Sequence, residues 1–204
     1  MGKSDPFPMP RTGLSPSEIQ DKAVEIAIDQ MRAKGFEKVR LVDVAKEMGI
    51  SHAALYSHFQ DKTALLDAVS ERWLVNLDQK QDLLVLEKRD PLQKVLTWFQ
   101  NLHRMKLEKV KLDPELYKAF DMAAEQSKPF IQTHLSNMRN QMSKLVTEAM
   151  EQKKLKKKDV KMVTEILISA GTAFTHPKLV AQHSEENREP LLLQTIEAVL
   201  KGLV

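Results

Sequence analysis

Residues 41–62 read LVDVAKEMGISHAALYSHFQDK, and this stretch decides the fold. Two short helical patterns flank the tetrapeptide Met48-Gly49-Ile50-Ser51. A helix-turn-helix has this order: one short helix, a tight turn with glycine, and a second helix that enters the major groove of DNA. The stretch therefore predicts a DNA-binding motif near the N-terminus.

Helix signals on both sides of this motif predict an all-α protein. Ser15-Pro16-Ser17-Glu18 is a capping box, which opens a helix over about 17–34. Apolar periodicity, together with an Asp or Ser at or near a Pro that opens several helices, predicts about nine helices in all. They lie at about 17–34, 41–48, 52–59, 61–83, 91–109, 114–126, 129–152, 159–175 and 189–201. Pro177 and its polar neighbours predict a loop over 176–188. We expect a flexible arm (residues 1–14), a helix-turn-helix domain (15–62) and a helical body (63–204).

The composition excludes several classes of function. The chain contains no cysteine, which rules out disulfides, thiol catalysis and cysteine-based zinc sites. Its apolar stretches are much shorter than the roughly 18 residues of a membrane helix, and the first dozen residues lack the apolar core of a signal peptide. These features favour the cytoplasm. Since we find no nucleophile–base set, glycine-rich phosphate loop or metal-ligand spacing, we expect no enzyme activity, cofactor or metal site.

The charge distribution limits how DNA can be bound. The formal net charge is +3, but residues 1–72 hold ten Lys or Arg against eleven Asp or Glu. Phosphate contacts need cations at particular places rather than a basic average. DNA binding would therefore depend on a few individual side chains.

Short motifs in the N-terminal quarter identify a family. They are Lys34-Gly35-Phe36, Val44-Ala45 with Met48-Gly49-Ile50-Ser51, Leu55-Tyr56, His58-Phe59, Asp61-Lys62 and Ala64-Leu65-Leu66. In order and spacing, residues 18–66 resemble the tetracycline-repressor (TetR) family of bacterial transcriptional regulators. The resemblance implies a homodimer that binds a double-stranded DNA operator through its helix-turn-helix heads. It also implies a helical body for dimerisation and for a small-molecule effector.

The resemblance assigns most DNA contacts to the second helix of the motif. His52, Ala53, Ala54 and Ser57 occupy positions that face base edges, whereas Tyr56 occupies a position that contacts a phosphate. His52 can donate to guanine N7 or O6, and Ala53 or Ala54 can pack on a thymine methyl group.

Flanking residues add further candidates. Lys62 matches a lysine that reaches a phosphate from the start of the next helix, and His58 either contacts a phosphate or completes the packing. Many relatives place Ser or Thr before the first helix of the motif, where this chain has Arg40; Arg40 is therefore a candidate phosphate contact. Val42 cannot hydrogen-bond a base, which puts base reading by that helix in doubt. The arm, with Lys3 and Arg11, either contacts DNA or is disordered.

The body offers two candidate sites, each with a plainer alternative. A set of bulky, adaptable side chains predicts an apolar effector pocket, although the same residues suit ordinary core: Trp98, Phe99, Met105, Phe120, Phe130, His134, Met138 and Met142. Small and apolar residues of the last helices predict a dimer interface, although they also suit packing within one chain: Ala170, Gly171, Phe174, Leu192, Ile196, Val199 and Leu200. The lysines of 153–158 are expected to form a solvated loop.

The sequence thus supports a sequence-specific, DNA-binding regulator, most simply a homodimeric repressor released from a palindromic operator by a small apolar effector. The alternative is an architectural or partner-docking DNA-binding protein of the same fold, without an effector.

Overall fold

The structure, a computed structural model, describes residues 13–204, so most of the predicted arm, with Lys3 and Arg11, lies outside the described residues. All regular structure in the described part is helical, which confirms the all-α prediction. The helices are α1 (Pro16–Lys34), α2 (Leu41–Met48), α3 (His52–Tyr56), α4 (Lys62–Leu86), α5 (Pro91–Leu112), α6 (Pro114–Glu125), α7 (Pro129–Glu151), α8 (Val160–Thr175), α9 (Pro177–Gln182) and α10 (Glu189–Leu203), with one 3₁₀ turn at Phe36–Lys38.

The chain divides into two compact units, one ending at Ser70 and one spanning Glu71–Val204. The division lies within α4 rather than at the 62/63 boundary suggested by the motif. Leu65 and Val69, in the first turns of α4, are buried and count with the first unit.

The first unit is built on α1, which packs on α2, and α2 in turn packs on α3. The capping box at the start of α1 is present: the Ser15 hydroxyl accepts from the Glu18 amide at 3.3 Å, and the Glu18 carboxylate accepts from the Ser15 amide at 2.7 Å. Gly35 ends α1 with φ at +85°, a backbone conformation that favours glycine. The core of this unit consists of buried apolar residues, among them Ala23, Ala27, Met31, Val44, Ala45, Leu55 and Phe59.

The second unit is arranged around α5, which packs against α6, α7, α8, α9 and α10. Its main core cluster includes Leu77, Val95, Trp98, Phe99, Leu102, Met142, Leu145, Leu167, Leu192 and Ile196. A second cluster joins Leu74 of α4 to Tyr117 and Phe120 of α6 and Ile131 of α7.

Buried side chains of α5 donate hydrogen bonds to the C-terminal ends of two other helices. Lys94 of α5 donates to the carbonyls of Val85 (3.0 Å) and Glu87 (3.1 Å) at the end of α4. At the end of α8, the carbonyls of Phe174 and Thr175 accept from His103 (2.8 Å) and Lys106 (2.8 Å) of α5. These donors replace the backbone donors that a helix C-terminus lacks, and the charge of a lysine there also complements the helix dipole.

Several predicted boundaries differ from the structure. The region 176–188 is not all loop, because Pro177 occupies the first turn of α9, where a proline is tolerated. The predicted helix 52–59 ends at Tyr56, and the hydroxyl of Ser57 turns back to the Ala54 carbonyl at 2.7 Å. The last helix continues through Gly202 to Leu203.

Candidate functional site

The helix-turn-helix is formed by α2 and α3 with the turn predicted between them. Gly49 adopts the left-handed conformation (φ +69°, ψ +28°) that the turn requires. Ser51 then caps α3, its hydroxyl accepting from the Ala54 amide at 3.0 Å. Leu55 is buried and holds α3 to the first unit, so the opposite face of this short helix is left at the surface.

The side chains expected to face DNA lie on this outer face. His52, Ala53, Tyr56 and Ser57 are exposed, while Ala54 and His58 are half-buried. The rings of His52 and Tyr56 contact each other edge to face, with centroids 4.2 Å apart. The pair forms a small aromatic ridge that carries ring nitrogens and a phenolic hydroxyl, all able to bond to a base edge or a phosphate.

Two predicted cations are positioned by partners within the first unit. Arg40 precedes α2 and makes no side-chain cap; its guanidinium instead contacts the Asp43 carboxylate at 3.1 Å, and Lys34 contacts the same carboxylate at 3.1 Å. These hydrogen bonds, chiefly the one from Arg40, lower the pKa of Asp43. Lys62 donates to the Glu37 carbonyl of the 3₁₀ turn. Their roles as phosphate contacts stay predictions.

Val42 is 47% exposed on α2 and offers only methyl groups to a partner. Base reading by α2 therefore stays in doubt, and base reading by α3 stays a prediction. Whether any of these residues contacts DNA remains a prediction.

The residues predicted to line one effector pocket are divided among separate places. Trp98, Phe99, Met138 and Met142 are buried in the main core cluster, and Phe120 is buried in the second cluster. Large apolar side chains fill close-packed interiors, and these five do so here. Met105 lines a groove between α4 and α5, whereas Phe130 and His134 line one between α4 and α7. The single apolar pocket predicted from the sequence is therefore not formed by this set.

Both grooves have mixed walls. The α4–α5 groove encloses about 210 Å³, and its wall includes Trp73, Lys80, Met105, Lys109 and Leu112. The α4–α7 groove encloses about 140 Å³ and is lined by Glu71, Leu74, Val75, Asp78, Gln79, Asp82, Phe130, Thr133, His134 and Asn137.

A buried polar network behind the α4–α7 groove was not predicted from the sequence. Asp78 accepts from His134 Nδ1 at 2.6 Å and from Asn137 Nδ2 at 2.8 Å. Gln141 donates to the Asp78 backbone carbonyl at 3.1 Å and accepts from Trp98 Nε1 at 3.0 Å. The spacing of His134, Asn137 and Gln141 places these three residues on one face of α7. Because a polar face of a helix normally lies in solvent, this spacing alone does not predict a buried network.

Burial changes the acid–base behaviour of this interior. Desolvation lowers the pKa of Lys106 from 10.5 to about 8, and the nearby negative charge of Asp78 limits the change. Desolvation also lowers the pKa of His134, although the hydrogen bond that His134 donates to Asp78 acts in the opposite direction. His134 is therefore neutral at pH 7, with its proton on Nδ1 facing Asp78. Its Nε2 carries a lone pair that has no partner among the described residues.

Five of the seven residues predicted for the dimer interface are buried within the chain: Gly171, Phe174, Leu192, Ile196 and Leu200. The reason is clearest at Gly171, where an added Cβ would lie 2.7 Å from Cδ1 of Phe99. The small residue lets α8 approach α5 rather than a second chain. Ala170 and Val199 are half-buried.

The outer faces of α8 and α10 carry residues that were not among those predicted for the dimer interface. Met162 and Ile166 of α8 are 60% and 40% exposed, and Leu191 of α10 is 53% exposed. Ser169 and Ala173 continue the exposed stripe of α8 at the same helical spacing. Ala198 and Gly202 continue that of α10, and an added Cβ at Gly202 would meet open space.

The described residues contain no group of three or more His, Cys, Asp or Glu arranged to hold a metal ion. Within the same range, no helix is both long and apolar enough to cross a membrane.

Family models match both units. The model for bacterial regulatory proteins of the tetR family matches residues 24–69, and the tetracyclin repressor-like C-terminal domain matches residues 91–194. A curated relative, the HTH-type transcriptional regulator YvdT of Bacillus subtilis (strain 168), is 33% identical over 60 residues. That match covers 29% of this chain and 31% of the relative, so less than a third of the relative's length is spanned.

Solved structures share the fold over nearly the whole chain. A TetR/AcrR regulator from Thermobifida fusca YX-ER1 is 15% identical with a TM-score of 0.65, covering 91% of this chain and 98% of that one. A TetR-family regulator from Pectobacterium atrosepticum is 20% identical with a TM-score of 0.66, covering 93% and 95%. A SmeT–triclosan complex is 18% identical with a TM-score of 0.62, covering 92% of each chain. At these identities the likeness concerns the fold alone.

Proposed function

Because the chain belongs to the TetR family of bacterial transcriptional regulators, we propose that it is a homodimeric repressor that a small effector releases from a palindromic operator. It is a DNA-binding transcriptional regulator with a helix-turn-helix head. In this proposal the protein acts on cytoplasmic DNA, residues 15–62 form the DNA-binding domain and residues 63–204 form the dimerisation and effector domain.

The observation that carries the proposal is the exposed outer face of α3, next to the glycine turn and the serine cap. We propose that His52 reads a guanine edge, that Ala53, Ala54 and Ser57 lie against neighbouring bases, and that Tyr56 contacts a phosphate. The Ser57 hydroxyl donates to Ala54, so Ser57 offers a base mainly acceptor lone pairs. Arg40, His58 and Lys62 would add phosphate contacts around this face.

We further propose that the dimer forms through the outer stripes of α8 and α10 rather than through the buried residues predicted first. Met162, Ile166 and Leu191 supply apolar area, and the small residues Ala173 and Gly202 allow close helix approach. A two-fold axis would pair each stripe with its copy, so that one patch serves both partners.

The variant Ile166→Glu tests this interface, because it should give monomers in light scattering at concentrations where the wild type is dimeric. The control is Glu108→Gln, on the exposed surface of α5. A wild type that is monomeric under those conditions would refute the dimer.

Operator binding is tested by footprinting the DNA upstream of the protein's own gene and of its neighbours. We expect a protected near-palindrome whose half-sites are about 34 Å apart, one turn of the double helix or a multiple of it. Fluorescence anisotropy on that site should show affinity falling steeply with salt, since each neutralised phosphate contributes a slope of about −0.9 in log–log form. Absence of a protected palindrome would overturn the proposal.

A further inference from the structure

We propose that α2 reads a thymine of the operator through the 5-methyl group of that base, with Val42 as the contacting residue. The inference deepens the proposed function, on which it rests, by naming the base that α2 selects. It assigns a role in recognition to a side chain that cannot hydrogen-bond a base.

Most of α2 is used for packing within the first unit. Its buried face consists of Leu41, Val44, Ala45 and Met48. The flank towards α1 carries two carboxylates: Asp43 accepts from Lys34 of α1 at 3.1 Å, and Glu47 accepts from Gln30 of α1 at 2.9 Å. These two contacts show which side of α2 lies against α1.

Val42 lies on the flank of α2 that remains. Successive residues of an α-helix are turned by about 100°, so Val42 shares this flank with Lys46, one turn further along. Both residues are exposed. The flank is therefore open to a partner, and α3, whose outer face is proposed to contact DNA, also packs on α2.

Val42 is also unusual among the apolar residues of the first unit. Among the described residues up to Ser70, the large apolar side chains that are exposed are Val42 and Tyr56, at 47% and 42%. Tyr56 belongs to the outer face of α3. A single exposed valine is ordinary on a protein surface. The significance of Val42 comes from its place in a DNA-binding motif, where its methyl groups have a matching partner.

Thymine is the base that such a side chain selects. In the major groove thymine presents a methyl group at C5, and apolar side chains pack on this group. A valine gains by removing that methyl group from water. It gains nothing from the donors and acceptors of the other bases, and covering them would leave them without partners.

The start of α2 offers a way to hold Val42 at the edge of the groove. Arg40 makes no side-chain cap, and the amides of Leu41 and Val42 have no acceptor in the part of the chain that the structure describes. Free amides at a helix N-terminus suit a phosphate group. A phosphate held there would place Val42, in the same helical turn, beside the nucleotide to which that phosphate belongs.

The test uses deoxyuridine, which differs from thymidine only in lacking the 5-methyl group. Each thymine of the footprinted operator is replaced in both half-sites, and fluorescence anisotropy gives the Kd of the full chain for each duplex. At one thymine position the replacement should weaken binding by the wild type about tenfold, from about three- to fourfold at each half-site. Val42→Ala should bind the unmodified operator about tenfold more weakly and should lose most of its response at that position alone.

Two further variants serve as controls for the position and for the side chain. Val204→Ala makes the same substitution at a valine that is 55% exposed, and it should retain the wild-type Kd and the wild-type response at each thymine. Val42→Ile keeps methyl groups at the contact and should retain the response to uracil.

The salt dependence separates a base contact from a phosphate contact. Val42→Ala removes no charge, so the slope of log Kd against log salt should equal that of the wild type. Arg40→Gln should make the slope less steep, by about 0.9 for each phosphate contact that is lost.

The possible failures are distinguishable. If the wild type binds the operator but no uracil substitution weakens binding by more than about twofold, the inference is wrong and the proposed function stands. The same conclusion follows if Val42→Ala loses equal affinity for thymine and uracil duplexes, since Val42 would then only support the packing of α2. If the wild type protects no operator, the proposed function fails and the inference fails with it.

Discussion

Lys106 offers a quantitative test of the polar interior of the second unit. Lys106 is 3% exposed, and its ammonium donates to the Thr175 carbonyl at 2.8 Å. Burial lowers its pKa from 10.5 to about 8. One pKa unit corresponds to about 1.4 kcal/mol, so the charged form costs the folded chain about 3 kcal/mol relative to the neutral form.

The sign of the pH dependence follows from proton binding. Between about pH 8 and pH 10.5 the unfolded chain keeps this proton and the folded chain releases it. The free energy of unfolding must therefore rise with pH across this window, and the gain is lost again as the pH falls through about 8. Between pH 8 and pH 10 the rise should be about 2 kcal/mol.

The assay is urea unfolding at several pH values between 8 and 10, a range that stops at the ordinary tyrosine pKa of 10.0. This limit matters because burial raises the pKa of Tyr117, which would lower stability at still higher pH. Lys106→Met should remove the rise, since no proton is then released on folding. Lys118→Met, at an exposed lysine of α6, should keep it. If Lys106→Met retains the wild-type slope, the interior is not as desolvated as the structure implies.

Three further predictions concern the DNA-binding face and helix packing. Tyr56→Phe should weaken binding about fivefold for all operator sequences, whereas His52→Ala should change the preferred base. Fluorescence anisotropy on a panel of single-base operator variants distinguishes these two effects. An unchanged base preference in His52→Ala would refute base reading by His52. Ser51→Ala should lower stability by about 1 kcal/mol through loss of the α3 cap, as measured by urea unfolding. Gly171→Ala should lower the stability by about 1–3 kcal/mol, because the added methyl group overlaps the buried ring of Phe99. Gly202→Ala should leave the stability unchanged or slightly higher. Equal stabilities of the two glycine variants would contradict the packing.

The helices could be predicted because their signals are local. The Ser15 box, the Gly49 turn and the Asp61 cap, whose carboxylate accepts from the Ala64 amide at 2.8 Å, each depend on four or five neighbouring residues. The α9 helix was missed because Pro177 has two local meanings, a helix breaker in the interior and a favourable first residue at the start.

The contacts of the body could not be predicted in the same way. Periodicity shows which residues share a face of a helix but not which neighbour covers that face. Both sides of α8 are apolar or small, so Gly171 and Ile166 were equally suitable for a dimer on sequence grounds. Only the position of the Phe99 ring assigns Gly171 to the interior. Likewise, Lys106 and Asp78 would be placed on the surface by their residue type, and tertiary packing buries them together.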